Sequence, residues 1–275
     1  MKSKIAFIGG GNMATSLIAG LISNDFAASE IQVAEPDQEK GEQLQKQYGI
    51  QSFTDNKLAI VKADVIVLAV KPQVMQTVCK DLAEVAQETG ALVISIAAGL
   101  LSKDISRWLG GDISIVRCMP NTPSLLNCGA TGLYANDNVT AEQKQMADQI
   151  LTTAGINVWV DDEKQLDAVT ALSGSGPAYY FLFMEAMQKA AEKLGLNKEQ
   201  ASQLSLQTAL GAARMAIESD DDVAILRAKV TSKGGTTEQA IKTFEARELP
   251  EIVMQAMQAA NDKAIELAEI LGKDE

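Results

Sequence analysis

The sequence predicts a doubly wound, mostly parallel α/β domain over residues 1–161, followed by an all-α domain over residues 162–275. Three observations carry this expectation. Short β-branched runs alternate with amphipathic stretches from Lys4 to about Val160, as in a parallel sheet with helical crossovers. A glycine turn closes the first of those runs. Beyond Asp161 the β-rich runs vanish, and Ala, Leu, Met and Gln segments repeat apolar residues at three- and four-residue spacing.

Strands are expected at Lys4–Ile8, Ile31–Ala34, Val65–Ala69, Leu92–Ser95 and Ile113–Arg117, with two further short ones at Gly132–Tyr134 and Asn157–Val160. The run from Val65 to Val70 has no polar alternation, so it belongs at the centre of the sheet with helices on both faces. In the second half Pro177 suits the first turn of a helix reaching Leu194, and Gly195 suits its stop. Asn197 with Gln200 caps a helix to Ile217, and Asp220 to Asp222 mark a charged turn. Helices then cover Val223–Lys229, Thr237–Arg247 and about Pro250 to Leu271. The run from Ala178 to Met184 is too apolar for a lone appendage and points to dimerisation through this half, unless these helices bury their faces on one another and the sheet.

Composition removes several function classes. The 275 residues are 47% hydrophobic and 22% charged, an ordinary globular balance. With 36 acids against 24 bases the formal charge is −12, which repels nucleic-acid backbones and anionic lipid surfaces. The three cysteines, Cys79, Cys118 and Cys128, are odd in number and lack CxxC spacing, so no disulfide framework or zinc site is expected, and a reducing cytoplasm is the expected location. Residues 1–23 read as strand, turn and helix, because three glycines interrupt what a secretory signal keeps continuous. No run approaches the length of a membrane span. The chain contains no histidine, which excludes a Ser-His-Asp triad, a Cys-His pair and a histidine general base.

The chemistry-bearing segments sit at strand ends. The first strand runs into Gly9-Gly10-Gly11-Asn12-Met13-Ala14, a GxGxxA pattern at Gly9, Gly11 and Ala14. Gly9 permits a tight turn, Gly11 lets backbone approach a pyrophosphate, and Ala14 lets helix and strand pack closely. A purely structural tight turn would use the same residues. Glu35 closes the second strand about 20 residues further on, where an acid meets the ribose hydroxyls of NAD and repels the extra phosphate of NADPH. The first base after it is Lys40, and a solvated turn Glu before Pro36 is the alternative.

Ala69-Val70-Lys71-Pro72 and Ile96-Ala97-Ala98-Gly99 follow the next strand ends and are expected to line the same cleft. Met119-Pro120-Asn121-Thr122-Pro123 is a stiff loop that could orient a nicotinamide amide. In the helical half, Leu172 to Pro177 and Thr231 to Thr237 each place a small-residue turn before a helix, suited to anions or to ordinary helix starts. In the second turn the N–H groups of Gly235, Thr236 and Thr237 with the Ser232 hydroxyl could hold a carboxylate.

Taken with their order, these segments resemble the pyrroline-5-carboxylate reductase family, from FIGGGNM through AVKP, SIAAG, MPNTP and SGSGPAY to TSKGGTT. The resemblance covers nearly the whole chain. It implies a Rossmann domain, a helical dimerisation domain, and NADPH- or NADH-dependent reduction of L-1-pyrroline-5-carboxylate to L-proline in proline biosynthesis, without a metal. It further implies that Gly9, Gly11, Asn12, Met13, Ala69, Val70, Lys71, Pro72, Ala97 and Ala98 contact the cofactor, with Asn56 near the adenosine ribose. Ser232, Gly235, Thr236 and Thr237 would hold the substrate carboxylate and ring nitrogen, and Glu163 would lie near the substrate. Family members form homodimers through the helical domain, often built into larger rings, with the site at the dimer boundary. Glu35-Pro36-Asp37 departs from the hydroxyl, asparagine or arginine groups of NADPH-preferring members and leans towards NADH.

The missing histidine fits this chemistry. An imine protonated in solution brings its own proton, so positioning supplies most of the rate and Thr237 suffices as the partner of the ring nitrogen. A hydroxy-acid dehydrogenase would instead use Lys229 or Lys233 as acid–base, and a redox-sensing NAD(P)H-binding protein would need neither Ser232 nor Thr237.

Overall fold

A computed structural model describes residues 3–274. The described residues divide into two compact units, 3–175 with 259–274, and Gly176–Gln258.

In the first unit β1 (Ile5–Ile8), α1 (Asn12–Ser23), β2 (Ile31–Ala34), α2 (Gln38–Tyr48), β3 (Gln51–Phe53), α3 (Asn56–Ile60), β4 (Val65–Leu68), α4 (Pro72–Thr89), β5 (Leu92–Ser95), α5 (Ser102–Trp108) and β6 (Ile115–Met119) follow one another. Then come β7 (Gly129–Ala135), α6 (Ala141–Leu151), β8 (Gly155–Trp159) and α7 (Gln165–Val169). Among the described residues the strands form one sheet in the order β3-β2-β1-β4-β5-β6-β7-β8. Among the described pairings only β6–β7 is antiparallel. The chain reverses its direction of travel across the sheet between β1 and β4, the crevice where such sheets bind ligands.

Side chains alternate across a strand. Ile5 and Phe7 of β1 enter a core with α1 residues Ala14, Leu17 and Ile18. Ala6 and Ile8 enter the core on the opposite face with Met75, Leu82 and Ile105. All four residues of β4 are buried, as the unbroken apolar run predicts.

Three features differ from expectation. The edge strand β3 has no counterpart in the predicted strands, because Gln51-Ser52-Phe53 need bury only part of its surface. The first unit continues beyond residue 161, since α7 packs on β6 and β7, with Leu166 and Ala171 buried. Leu172 to Pro177 is not a flexible anion turn: Thr170–Gly174 is a π-helical turn, and the Ser175 N–H donates to the Thr170 carbonyl at 2.8 Å. The glycine serves packing there, because a Cβ on Gly174 would lie 2.5 Å from Met119 Cε.

The second unit contains α8 (Gly176–Lys193), α9 (Lys198–Glu218), α10 (Val223–Lys229) and α11 (Thr236–Ala246). The expected capping box is present: Asn197 accepts from the Gln200 N–H and Gln200 from the Asn197 N–H. Asp222 caps α10 by accepting from the Ala224 N–H at 2.7 Å. Phe183 of α8 lies 6.0 Å from Phe244 of α11, ring centre to ring centre. Even so, Tyr180, Phe181 and Leu182 are 69%, 64% and 67% exposed in the single chain. The last helix, α12 (Leu249–Leu271), ends in the first unit, where Ala264 and Ala268 are buried.

Candidate active site

The glycine turn sits where β1, β2 and β4 end side by side, with Ile8 opposite both Ala34 and Leu68. Gly9 has φ +97°, and a Cβ there would lie 2.8 Å from the Ala69 carbonyl oxygen, so neither the conformation nor the space admits a side chain. Its N–H donates to the Ala34 carbonyl at 2.8 Å. Gly11 caps α1 in extended conformation with open space before it, and Asn12 begins the helix. The first N–H groups of a helix have no carbonyl partner within it, so this open face suits a pyrophosphate. Asn12 is exposed and Met13 half-buried at this mouth, while Ala14 is fully buried in the core.

Glu35 is buried beneath that turn. Its Oε2 accepts from the Gly10 N–H at 3.0 Å and from Lys40 Nζ at 2.8 Å, and its Oε1 accepts from the Asp37 N–H at 3.3 Å. Burial pushes the carboxyl upward, but Lys40 and the two N–H donors outweigh it and leave Glu35 below the ordinary carboxylate range. The carboxylate thus stays ionised at the β2 terminus. Gly10 packs closely beside it, since a Cβ would stand 3.1 Å from Glu35 Oε2 and 2.7 Å from Leu44 Cδ1, and those side-chain ends would have to shift to admit one. The sequence pattern leaves Gly10 and Lys40 out of the site, because the first is a variable position of the motif and the second reaches Glu35 only across a turn.

The neighbouring strand ends supply the other cleft residues. Ala69 and Val70 follow β4 half-buried, Lys71 is the exposed N-cap of α4, and Pro72 takes its first turn. Ala97 is buried and Ala98 exposed after β5. Asn56 opens α3 behind the N-cap Asp55, which accepts from the Lys57 N–H at 2.8 Å. Asn121 has its side-chain amide engaged within the protein: Nδ2 donates to the Ser173 carbonyl and Oδ1 accepts from the Ala130 N–H, both at 3.0 Å. That bridge stiffens the loop and leaves one amide hydrogen for any nicotinamide contact.

Glu163 is engaged as well. Its Oε1 accepts from the Ser102 N–H at 2.6 Å and from Arg117 Nη1 at 3.3 Å, and its Oε2 accepts from the Ser102 hydroxyl at 2.9 Å. Arg117 and Ser102 carry no motif signal, and only the folded chain brings them to Glu163.

In the second unit the turn before α11 is built by two glycines. Gly234 has φ +75°, and its N–H donates to Glu238 Oε2 at 2.8 Å. That bond, with Lys242, holds the Glu238 carboxyl below its usual range. Gly235 is the N-cap without a capping side chain, and its N–H donates to the Ser232 carbonyl at 3.0 Å. Thr236 and Thr237 open α11, both exposed beside the exposed Ser232. Their N–H groups lie in the first turn, which has no intrahelical acceptors, so this turn suits a carboxylate.

Among the described residues no cluster of three His, Cys, Asp or Glu could hold a metal ion, and no helix is long and apolar enough to cross a membrane. Cys79 and Cys118 are buried and Cys128 exposed, all as free thiols. Burial pushes the Cys79 thiol up to about 12.

Residues 163–267 match the pyrroline-5-carboxylate reductase dimerisation family, and residues 4–99 match the family described as NADP oxidoreductase, coenzyme F420-dependent. The chain is 52% identical to the pyrroline-5-carboxylate reductase of Pseudomonas aeruginosa, over 98% of each sequence. Among solved structures it resembles a pyrroline-5-carboxylate reductase from Coxiella burnetii, with TM-score 0.95, 48% identity, and 98% of this chain and 99% of that one covered. The Plasmodium falciparum pyrroline carboxylate reductase, solved with NADP bound, gives TM-score 0.85 and 30% identity over 98% and 99% of the two chains.

Proposed function

The chain belongs to the pyrroline-5-carboxylate reductase family, and on that premise we propose that it reduces L-1-pyrroline-5-carboxylate to L-proline with a reduced nicotinamide cofactor. The observation that carries this reading is likeness along the whole chain, at 52% identity, to a reductase of that name. A glycine turn alone would support only dinucleotide binding.

The residues present fit the cofactor. Gly9, Gly11, Asn12 and Met13 form the open helix mouth for a pyrophosphate, with Glu35 beside it for a ribose. Asn56, Ala69, Val70, Lys71, Pro72, Ala97, Ala98 and Asn121 occupy the adjoining helix starts and strand-end loops. When bound, the reduced nicotinamide supplies the hydride. The chain's own task is to hold the imine acid. The N–H groups of Thr236 and Thr237 and the hydroxyl of Ser232 hold its carboxylate, and the Thr237 hydroxyl bonds its ring nitrogen; the Gly235 N–H, expected to join them, is instead given to the Ser232 carbonyl and shapes the turn. No general acid is needed, because the substrate arrives protonated. This accounts for an enzyme without a single histidine. Of the two lysines that a hydroxy-acid dehydrogenase would call on, Lys229 is paired with Asp221.

The chain is homo-oligomeric by its family. We propose dimers joined through the exposed apolar faces of the helical half, assembled into a larger ring. Glu35 leans the cofactor choice towards NADH, moderated by the Lys40 charge beside it, and a cytoplasmic location fits the free cysteines.

Steady-state assay of the purified protein tests this reading. NADH and NADPH oxidation should require pyrroline-5-carboxylate and yield proline. Oxidation driven by a 2-oxo acid and lost on Lys233→Ala, or no oxidation with pyrroline-5-carboxylate, would overturn it.

A further inference from the structure

Arg117 on β6 is 3% exposed and carries a charge that the protein interior tolerates only when paired. Its partner is Glu163, at 3.3 Å. The same carboxylate reaches across to α5, whose N-cap Leu101 offers no capping side chain. Glu163 supplies both missing acceptors there, one oxygen for the Ser102 N–H and the other for the Ser102 hydroxyl. A carboxylate at a helix start also opposes the positive end of the helix dipole. One side chain therefore joins the middle of β6 to the start of α5.

Between β5 and α5 runs the segment Ile96 to Leu101, which contains Ala97 and Ala98. Gly99 in its middle has φ +71°, and a Cβ there would meet Leu271 and Leu267 of α12 at 3.4 and 3.5 Å. The segment is anchored by the sheet at Ser95 and by the Glu163 carboxylate at Ser102. Both oxygens of Glu163 are used in this way, whereas Asp167, buried in the same cluster and within electrostatic reach of Arg117, has an Oδ1 without a hydrogen-bond partner.

We propose that Glu163 is a positioning residue that, through Ser102 and Arg117, holds the Ile96–Leu101 segment in the conformation that receives the cofactor. This rests on the reading that Ala97 and Ala98 line the cofactor cleft. Glu163 then acts on cofactor affinity without touching the substrate, whereas the family resemblance alone places it near the substrate.

The test is cofactor affinity measured without substrate, by fluorescence titration of the intact oligomer with NADH and with NADPH. Glu163→Gln should weaken both by about tenfold, the scale of losing charge-assisted hydrogen bonds. Ser102→Ala, which leaves the Arg117 pair intact and guards against simple misfolding, should weaken both by a smaller factor. The double variant should be no weaker than Glu163→Gln alone, because the two residues act through one contact. At saturating cofactor the KM for pyrroline-5-carboxylate should stay at the wild-type value. A merely structural role would lower the melting temperature and leave both Kd values unchanged, and that result overturns the proposal. So does a raised substrate KM with unchanged cofactor Kd, which would make Glu163 a substrate contact. Ala98→Leu separates the two layers of the argument: if it weakens cofactor while Glu163→Gln does not, only the positioning role falls. If neither variant matters, the placing of the segment at the cofactor falls with it.

Discussion

Lys40 Nζ lies 2.8 Å from Glu35 Oε2, the oxygen that also accepts the Gly10 N–H at 3.0 Å. The acid that closes the second strand is therefore tied to the glycine turn on one side and to a cation on the other. A ribose hydroxyl would meet an ionised carboxylate already oriented for it, and a 2′-phosphate would meet that carboxylate with its charge partly offset.

Glu35→Ser should raise the NADPH-to-NADH ratio of kcat/KM by about tenfold, the scale of removing one nearby like charge at a partly screened site. The measurement is steady-state kinetics with each cofactor at fixed pyrroline-5-carboxylate. An unchanged ratio would remove Glu35 from cofactor choice.

The same pair predicts a pH dependence of stability. The folded-state pKa of Glu35 is depressed, so its contribution is present above the ordinary Glu value of 4.5 and is lost as pH falls through the lower folded value. Glu35→Gln should therefore unfold at lower denaturant than wild type near pH ~7, and the gap should close towards pH ~3. A gap that persists undiminished in acid would show that the charge is not what stabilises the turn.

Gly9→Ala should destabilise the fold by about 1–3 kcal/mol, since it forces φ +97° on a residue with a Cβ and sets that Cβ against the Ala69 carbonyl. Denaturant unfolding of the apoprotein reads this directly, and cofactor titration should show weakened binding alongside.

Thr237→Ala should lower turnover by about ten- to a hundredfold, in the range of removing one hydrogen-bonding group at a reacting centre. Thr237 is exposed at the start of α11, so the melting temperature should move little. Wild-type turnover in this variant would exclude the hydroxyl from the mechanism.

Phe181→Asp places a charge on a helix face that is 64% exposed at that residue in the single chain. Sedimentation velocity should show the variant shifted to smaller species than wild type. An unaltered distribution would place the subunit contact elsewhere on the helical half.

Much of the architecture was legible in sequence because it rests on local chemistry. The apolar run of β4, the glycine turn after β1 and the capping box at Asn197 are set by residues close together in the chain, and each is where its pattern places it. The edge strand β3 escaped because Gln51-Ser52-Phe53 is paired on one side only and needs no apolar period. The π-helical turn at Thr170–Gly174 escaped because small residues read as a flexible turn in sequence, while against Met119 they read as close packing.

The sequence by itself determined the alternation of strands and helices, the glycine turn after β1 and the family, since these follow from periodicity, backbone permissiveness and neighbouring residue types. Only the tertiary structure decided that Glu35 is held by Gly10 and Lys40, that the Asn121 amide is engaged by Ser173 and Ala130, and that Glu163 bridges Ser102 and Arg117. The reason is physical. A buried charge or amide must find partners, and which groups stand within reach is set by the sheet register and by the packing of distant segments.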